Sequence, residues 1–203
     1  MKKIPAAMAL LGLFALPALA QYNQGSAFTL YGAYTSANDG GNAFGGGLGW
    51  EWGILQIRGT YFDDVKAKDF ENAGCPPNCV FGHPKISDIP VEIGLKFRFP
   101  SEYVTPFVGG GAGYHFLRLT DSNAVGPAGN RLRDEINDEL GWYAMLGADF
   151  MTSPNFGIFV EGNYRWIRGT VQSRGNQIIG ARDKVDLQLG GPGANVGLVW
   201  RFQ

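Results

Sequence analysis

The sequence predicts an all-β protein: a single eight-stranded antiparallel up-and-down transmembrane β-barrel with short periplasmic turns and longer external loops. Three observations carry that prediction. From Ser26 onward the apolar residues recur with period 2, and no helical stripe of useful length interrupts them. The connections between these segments alternate in length, as they do in barrels that cross a membrane. One face of every segment carries no charge at all.

The first twenty residues stand apart. Lys2 and Lys3 form a basic start, Ala6 to Leu16 a short apolar run ended by Pro17, and Ala18-Leu19-Ala20 the small-x-small pattern of a cleavage site. That run is about half the ~20 residues a spanning helix needs. Residues 1–20 therefore read as a signal peptide and 21–203 as the barrel domain, with no Cys after the cut to suggest a lipoprotein. The remaining chain has 15 bases against 18 acids, a net charge of −3, without the concentrated basic surface that nucleic acid requires. It also lacks any other run of 18 apolar residues. A domain of this kind can enter a bilayer only as a closed barrel, which satisfies every backbone group between strands.

Eight segments follow, at about 27–35, 43–52, 54–62, 88–98, 105–117, 139–151, 157–168 and 193–202. Their outer columns run, in order, Phe28 to Tyr34, Phe44 to Trp50, Leu55 to Tyr61, Ile89 to Phe97, Pro106 to Phe116, Leu140 to Phe150, Ile158 to Trp166 and Ala194 to Phe202, taking every second residue. Arg or Lys facing lipid at the bilayer midplane costs ~2–4 kcal/mol, which explains why none stands there. Short links are expected at Trp52-Gly53, Pro100–Val104 and Thr152–Phe156, and longer ones at about 36–42, 63–87, 118–138 and 169–192. With strands running alternately up and down, Trp50, Trp52, Phe97, Phe150, Trp200 and Phe202 gather at the periplasmic rim. Tyr34, Tyr61, Tyr114, Phe116, Trp142 and Trp166 gather at the external one. Rings at both interfaces mark a membrane barrel.

Glycine is abundant, at 31 residues, and clusters in Phe44-Gly-Gly-Gly-Leu-Gly-Trp50 and Val108-Gly-Gly-Gly-Ala-Gly-Tyr114. Neither cluster opens a helix or precedes a suitable Lys, so a phosphate loop is not supported. Inward glycines such as Gly45, Gly47, Gly109 and Gly111 instead leave room for long side chains from other strands. Val185, Leu187 and Leu189 lie on the parity opposite to Ala194 onward, so Gly190-Gly-Pro-Gly193 is expected to hold a bulge that resets the register.

The inward parity carries Glu51, Arg58, Glu92, Lys96, Arg98, Asp149, Glu161, Arg165 and Arg201, with Gln56, Asn163 and Asn195. An eight-stranded barrel is just wide enough for side chains to fill. Five bases against four acids there are expected to pair into a network that plugs the lumen, because unpaired buried charge is costly. The alternatives are a narrow channel for small solutes and a secreted soluble lipocalin-like barrel that binds an apolar ligand. Cys75-Pro-Pro-Asn-Cys79 lies in the second external loop, where a disulfide between Cys75 and Cys79 is the first reading for an exported chain and a metal site with His83 the second. The carboxylates of Arg131 to Glu139 either hold divalent cations with lipopolysaccharide phosphates or form an ordinary solvated loop. Two histidines, with no Ser two residues from His115, give no support for a catalytic site. Neither an enzyme nor a cofactor is expected.

Three stretches carry a resemblance to a known family. They are Tyr103-Val-Thr-Pro-Phe-Val-Gly-Gly-Gly-Ala-Gly-Tyr114, the run from Gly147 to Arg165, and the closing Val196-Gly-Leu-Val-Trp-Arg-Phe202. The mature chain resembles the OmpA-like/OmpX-like outer-membrane β-barrel family. The resemblance implies a monomer in the bacterial outer membrane, with outer-membrane lipid and lipopolysaccharide around it. It also implies recognition of the C-terminal strand by the barrel-assembly machinery, although Gln203 displaces the terminal aromatic by one residue. No peptidoglycan-binding segment follows, so wall tethering is not implied. The role it leaves is structural and surface-interacting, exercised through the external loops toward a ligand the sequence does not name.

Overall fold

The computed structural model describes residues 25–38, 41–66, 85–99, 101, 103–119, 134–136, 138–173 and 184–202. The expected signal peptide, Cys75, Cys79, His83 and residues 131–133 lie outside the described residues.

Eleven strands occur among them: β1 (Ser26–Ser36), β2 (Asn42–Trp52), β3 (Leu55–Lys66), β4 (Lys85–Arg98), β5 (Val104–Leu119), β6 (Asp134–Ile136), β7 (Glu139–Ser153), β8 (Phe156–Trp166), β9 (Arg168–Ser173), β10 (Lys184–Gln188) and β11 (Gly191–Phe202). Eight close into one barrel in the order β1-β11-β8-β7-β5-β4-β3-β2, and β2 returns to β1. All of its ladders are antiparallel. The first and last strands meet from Ser26↔Phe202 to Thr35↔Gly193, leaving no open edge.

Side chains alternate as the period-2 pattern requires. In β1 Ala27, Thr29, Tyr31, Ala33 and Thr35 are buried while Leu30 and Gly32 are exposed. In β8 Phe159, Glu161, Asn163 and Arg165 are buried while Ile158, Val160 and Trp166 are exposed. The charges are therefore inside and most of the large apolar residues outside, the reverse of a water-soluble barrel.

One end is closed by tight turns. The β2–β3 turn places Gly53 at φ +58°, where a residue with a Cβ would be strained. In the β7–β8 turn the Thr152 hydroxyl donates to the Phe156 carbonyl and the Phe156 amide donates to Ser153 Oγ, each at 3.1 Å. The opposite end carries a second, three-stranded sheet in the order β10-β9-β6.

Three expectations need correction. The 36–42 link is short: β1 and β2 stay paired as far as Ser36↔Asn42, and the Asn38 amide donates to the Gly190 carbonyl at 2.9 Å. The 118–138 and 169–192 links are not strand-free, since they contain β6, β9 and β10. The register is not reset at Gly190. Gln188 pairs with Arg168 and Gly191 with Arg165, so equal lengths of chain separate the two ladders and no residue is inserted. The irregularities lie elsewhere, between Phe62 and Val65 in β3 and between Met151 and Ser153 in β7. The apolar parity changes at Leu189 because the surroundings change. Leu189 and Ile167 are buried on the inward parity at the end of the barrel, above the lumen charges.

Candidate functional site

The lumen is built from large side chains laid against glycine. Tyr31 of β1 faces Gly47 of β2 and Gly197 of β11 directly across the ladders. A Cβ built at Gly47 would lie 2.6 Å from the Tyr31 ring, one at Gly147 2.5 Å from Phe107, and one at Gly113 2.7 Å from Glu92. Phe107↔Gly147, Glu92↔Gly113, Lys96↔Gly109 and Arg58↔Gly49 repeat the same pairing of a large residue with glycine. Outward glycines are less confined, with Gly110 an exception: a Cβ at Gly59 would meet nothing within 4 Å, whereas one at Gly110 would lie 2.7 Å from the Tyr143 carbonyl oxygen. The glycine runs thus leave an inward floor onto which a neighbouring strand's side chain folds.

All nine charged residues singled out in the sequence point inward. Eight are at most 4 % exposed, and Arg201, at the tight-turn end, is 28 % exposed. Their described ion pairs fall into two clusters. In the first, Arg58 donates from Nε to Glu92 Oε2 at 2.5 Å and from Nη1 to Glu161 Oε1 at 2.7 Å. Arg165 donates from Nε to the other Glu92 oxygen at 2.9 Å and from Nη1 to Asn163 Oδ1 at 2.9 Å. Glu161 Oε1 also accepts from Asn195 Nδ2 at 2.8 Å and from Asn163 Nδ2 at 3.3 Å.

The second cluster lies toward the tight-turn end. Glu51 Oε1 accepts from Lys96 Nζ at 3.1 Å and from Gln56 Nε2 at 3.0 Å, and Glu51 Oε2 accepts from Arg98 Nη2. Arg98 Nε and Arg201 Nη2 both donate to Asp149 Oδ2, at 3.0 and 2.8 Å. Charge-assisted bonds of this kind offset part of the desolvation that burial imposes.

Rings fill the space beside the charges. The Arg58 guanidinium stands 4.4 Å from the centre of the Tyr143 ring, and Lys96 Nζ 3.8 Å from that of Phe107. Tyr31 meets Phe159 edge-on with centroids 6.0 Å apart, and its hydroxyl lies 2.9 Å from Thr60 Oγ1.

Sequence reasoning did not single out Asp88. Its carboxylate lies 3.1 Å from His115 Nδ1, one inward diagonal across the β4–β5 ladder. Parity was the available signal, since both residues stand on the inward column. It also passed over Tyr31, Phe107, Tyr143, Met145 and Phe159, which are buried inside the barrel. Among the described residues no group of three or more His, Cys, Asp and Glu is arranged to hold a metal.

The outer surface is apolar from rim to rim. At the tight-turn end the rings form one connected group: Phe28 contacts Trp50 and Trp200, Trp50 contacts Trp52 and stacks on Phe202, and Trp200 contacts Phe156. This group crosses β8, β11, β1 and β2, over the seam where the barrel closes. At the other end the described ring contacts are separate pairs, Tyr34–Phe44, Tyr114–Phe116 and Tyr164–Trp166.

The fold is shared with solved proteins. OprG, an outer membrane protein from Pseudomonas aeruginosa, superposes with a TM-score of 0.67 at 15 % identity, over 90 % of this chain and 99 % of its own. Neisserial surface protein A gives 0.51 at 13 % identity, over 87 % and 96 %. The outer membrane protein AlkL, determined in lipid bilayers, also gives 0.51 at 13 % identity, over 90 % and 92 %. No curated protein matches the sequence significantly. The family described as the outer membrane protein beta-barrel domain matches residues 6–202. With that match over nearly its whole length, and a closed eight-stranded barrel whose outer face is apolar, the chain belongs to the outer membrane protein beta-barrel domain family.

Proposed function

We propose that this is a closed outer-membrane barrel whose lumen is plugged by paired charges and whose work is done outside it. Contacts with lipopolysaccharide, matrix or host molecules are then made by the connections at the end that carries β6, β9 and β10. In this reading residues 1–20 direct export and are removed, the C-terminal strand is read by the barrel-assembly machinery, and the mature barrel is a monomer without catalytic activity.

The observation that carries the reading is the arrangement of Arg58, Glu92, Arg165 and Glu161 above Glu51, Lys96, Arg98 and Asp149, with all eight buried and each in at least one ion pair. Groups held this way leave a small barrel little room for a solute. The test is single-channel recording from the purified protein in planar bilayers. Plugging predicts no stable open level. A reproducible open conductance would replace the plug with a small-solute channel.

A further inference from the structure

Among the described residues the two charge clusters have no member in common, and each contains buried polar atoms without a hydrogen-bond partner. These are Arg58 Nη2, Arg165 Nη2 and Asn195 Oδ1 in the first cluster. In the second they are Gln56 Oε1 and Asp149 Oδ1, the latter with only the Lys96 ammonium 3.9 Å away. Buried polar atoms in polar surroundings are met by ordered water. A charge layer whose unmet atoms are satisfied by water is a poor barrier to ions.

Apolar side chains separate the two clusters on β8 and β11, whereas on β3 Gln56 and Arg58 are successive inward residues. Along β11 the inward positions run Arg201, Val199, Gly197, Asn195, and along β8 Phe159 precedes Glu161. Tyr31, Phe107, Met145, Phe159 and Val199 are each at most 6 % exposed. Phe107 and Phe159 face the same Lys96 ammonium, at 3.8 and 5.6 Å, and Tyr31 packs edge-on against Phe159. A Cβ at Gly109 would stand 2.5 Å from Met145 Cε, so this waist is packed against its walls.

Resting on the plugged-barrel reading, we infer that the paired charges fill the lumen and that this apolar waist between them is the barrier that makes the plug ion-tight. An ion crossing the waist would lose its hydration without gaining a partner, which is how apolar constrictions close a pore. The ion pairs fix the shape of the lumen and keep the waist rings in place.

The experiment compares ion leak and bilayer conductance of the full mature protein with three variants in proteoliposomes, each first checked for the folded gel mobility. Phe107→Ala with Phe159→Ala is expected to raise ion leak ~10-fold or more, the effect of about 1.4 kcal/mol on a barrier. Phe107→Leu with Phe159→Leu keeps the waist apolar and is expected to stay closed. Arg58→Gln with Glu92→Gln removes a charge pair but leaves the waist rings, and is expected to leak less than the double alanine variant. If the double alanine variant does not fold, Phe107→Ala and Phe159→Ala are read singly, each leaking more than the parent. A folded alanine variant that remains tight overturns the inference, as does an Arg58/Glu92 variant that leaks as much as the double alanine variant or more. Stable conductance by the unaltered protein would instead sink the plugged-barrel reading.

Discussion

Arg58 holds two carboxylates from two strands, Glu92 of β4 and Glu161 of β8, and its guanidinium covers the Tyr143 ring. Removing it takes from Glu161 its described counter-ion and leaves Glu92 with Arg165 alone, in a buried site. Arg58→Ala is therefore expected to cost about 3–5 kcal/mol, read as a lower urea midpoint for the folded barrel in detergent. An unchanged midpoint would mean that Arg58 is not paired as described. Tyr143 offers the opposite case, because its buried hydroxyl has no hydrogen-bond partner among the described residues. Tyr143→Phe keeps the ring under Arg58 and deletes an unsatisfied group, so stability should hold or rise by about 1 kcal/mol in the same assay. A marked loss would reveal a partner for that oxygen. Parity alone brings each of these residues to the lumen, but the partners are beyond it. Arg58 and Glu161 are 103 positions apart, and no local pattern says which carboxylate a guanidinium will reach across a barrel.

At the scale of strands, the alternation was readable because one solvent, lipid, acts along the whole outer column. Leu146 and Val160 face outward for the same reason that Glu161 faces inward. The reading ended where that solvent ends. β9 and β10 continue β8 and β11 past Ile167 and Leu189 in the same register, yet Ile167 and Leu189 are apolar residues buried on the inward parity. A rule tuned to lipid reads this change of parity as a bulge. Glycine separates the two faces by experiment. Gly47→Val would drive a side chain into the Tyr31 ring and should destabilise by about 1–3 kcal/mol, whereas Gly59→Val meets open space and adds a strand-favouring residue. The temperature at which folded gel mobility is lost should fall for the first and not for the second. Equal falls would contradict the assignment of glycine to floor and outer face.

For the whole molecule, the governing fact is an inverted barrel with charge inside and apolar surface outside. Leu146 is 68 % exposed on the outer face of β7, well inside both rims, so Leu146→Arg should cost ~2–4 kcal/mol in a bilayer. Folding titrations into lipid vesicles would measure it, and a neutral result would place Leu146 outside the hydrocarbon. The tryptophans report on the same claim without any substitution. All five, Trp50, Trp52, Trp142, Trp166 and Trp200, sit on the outer column at one rim or the other. The most direct measurement is fluorescence quenching of the folded protein in vesicles of lipid brominated either near the headgroup or near the chain end. A barrel spanning the membrane with its rings at the two interfaces predicts strong quenching by the shallow bromines and weaker quenching by the deep ones. Quenching by neither lipid, or strongest quenching by the deep bromines, would contradict it.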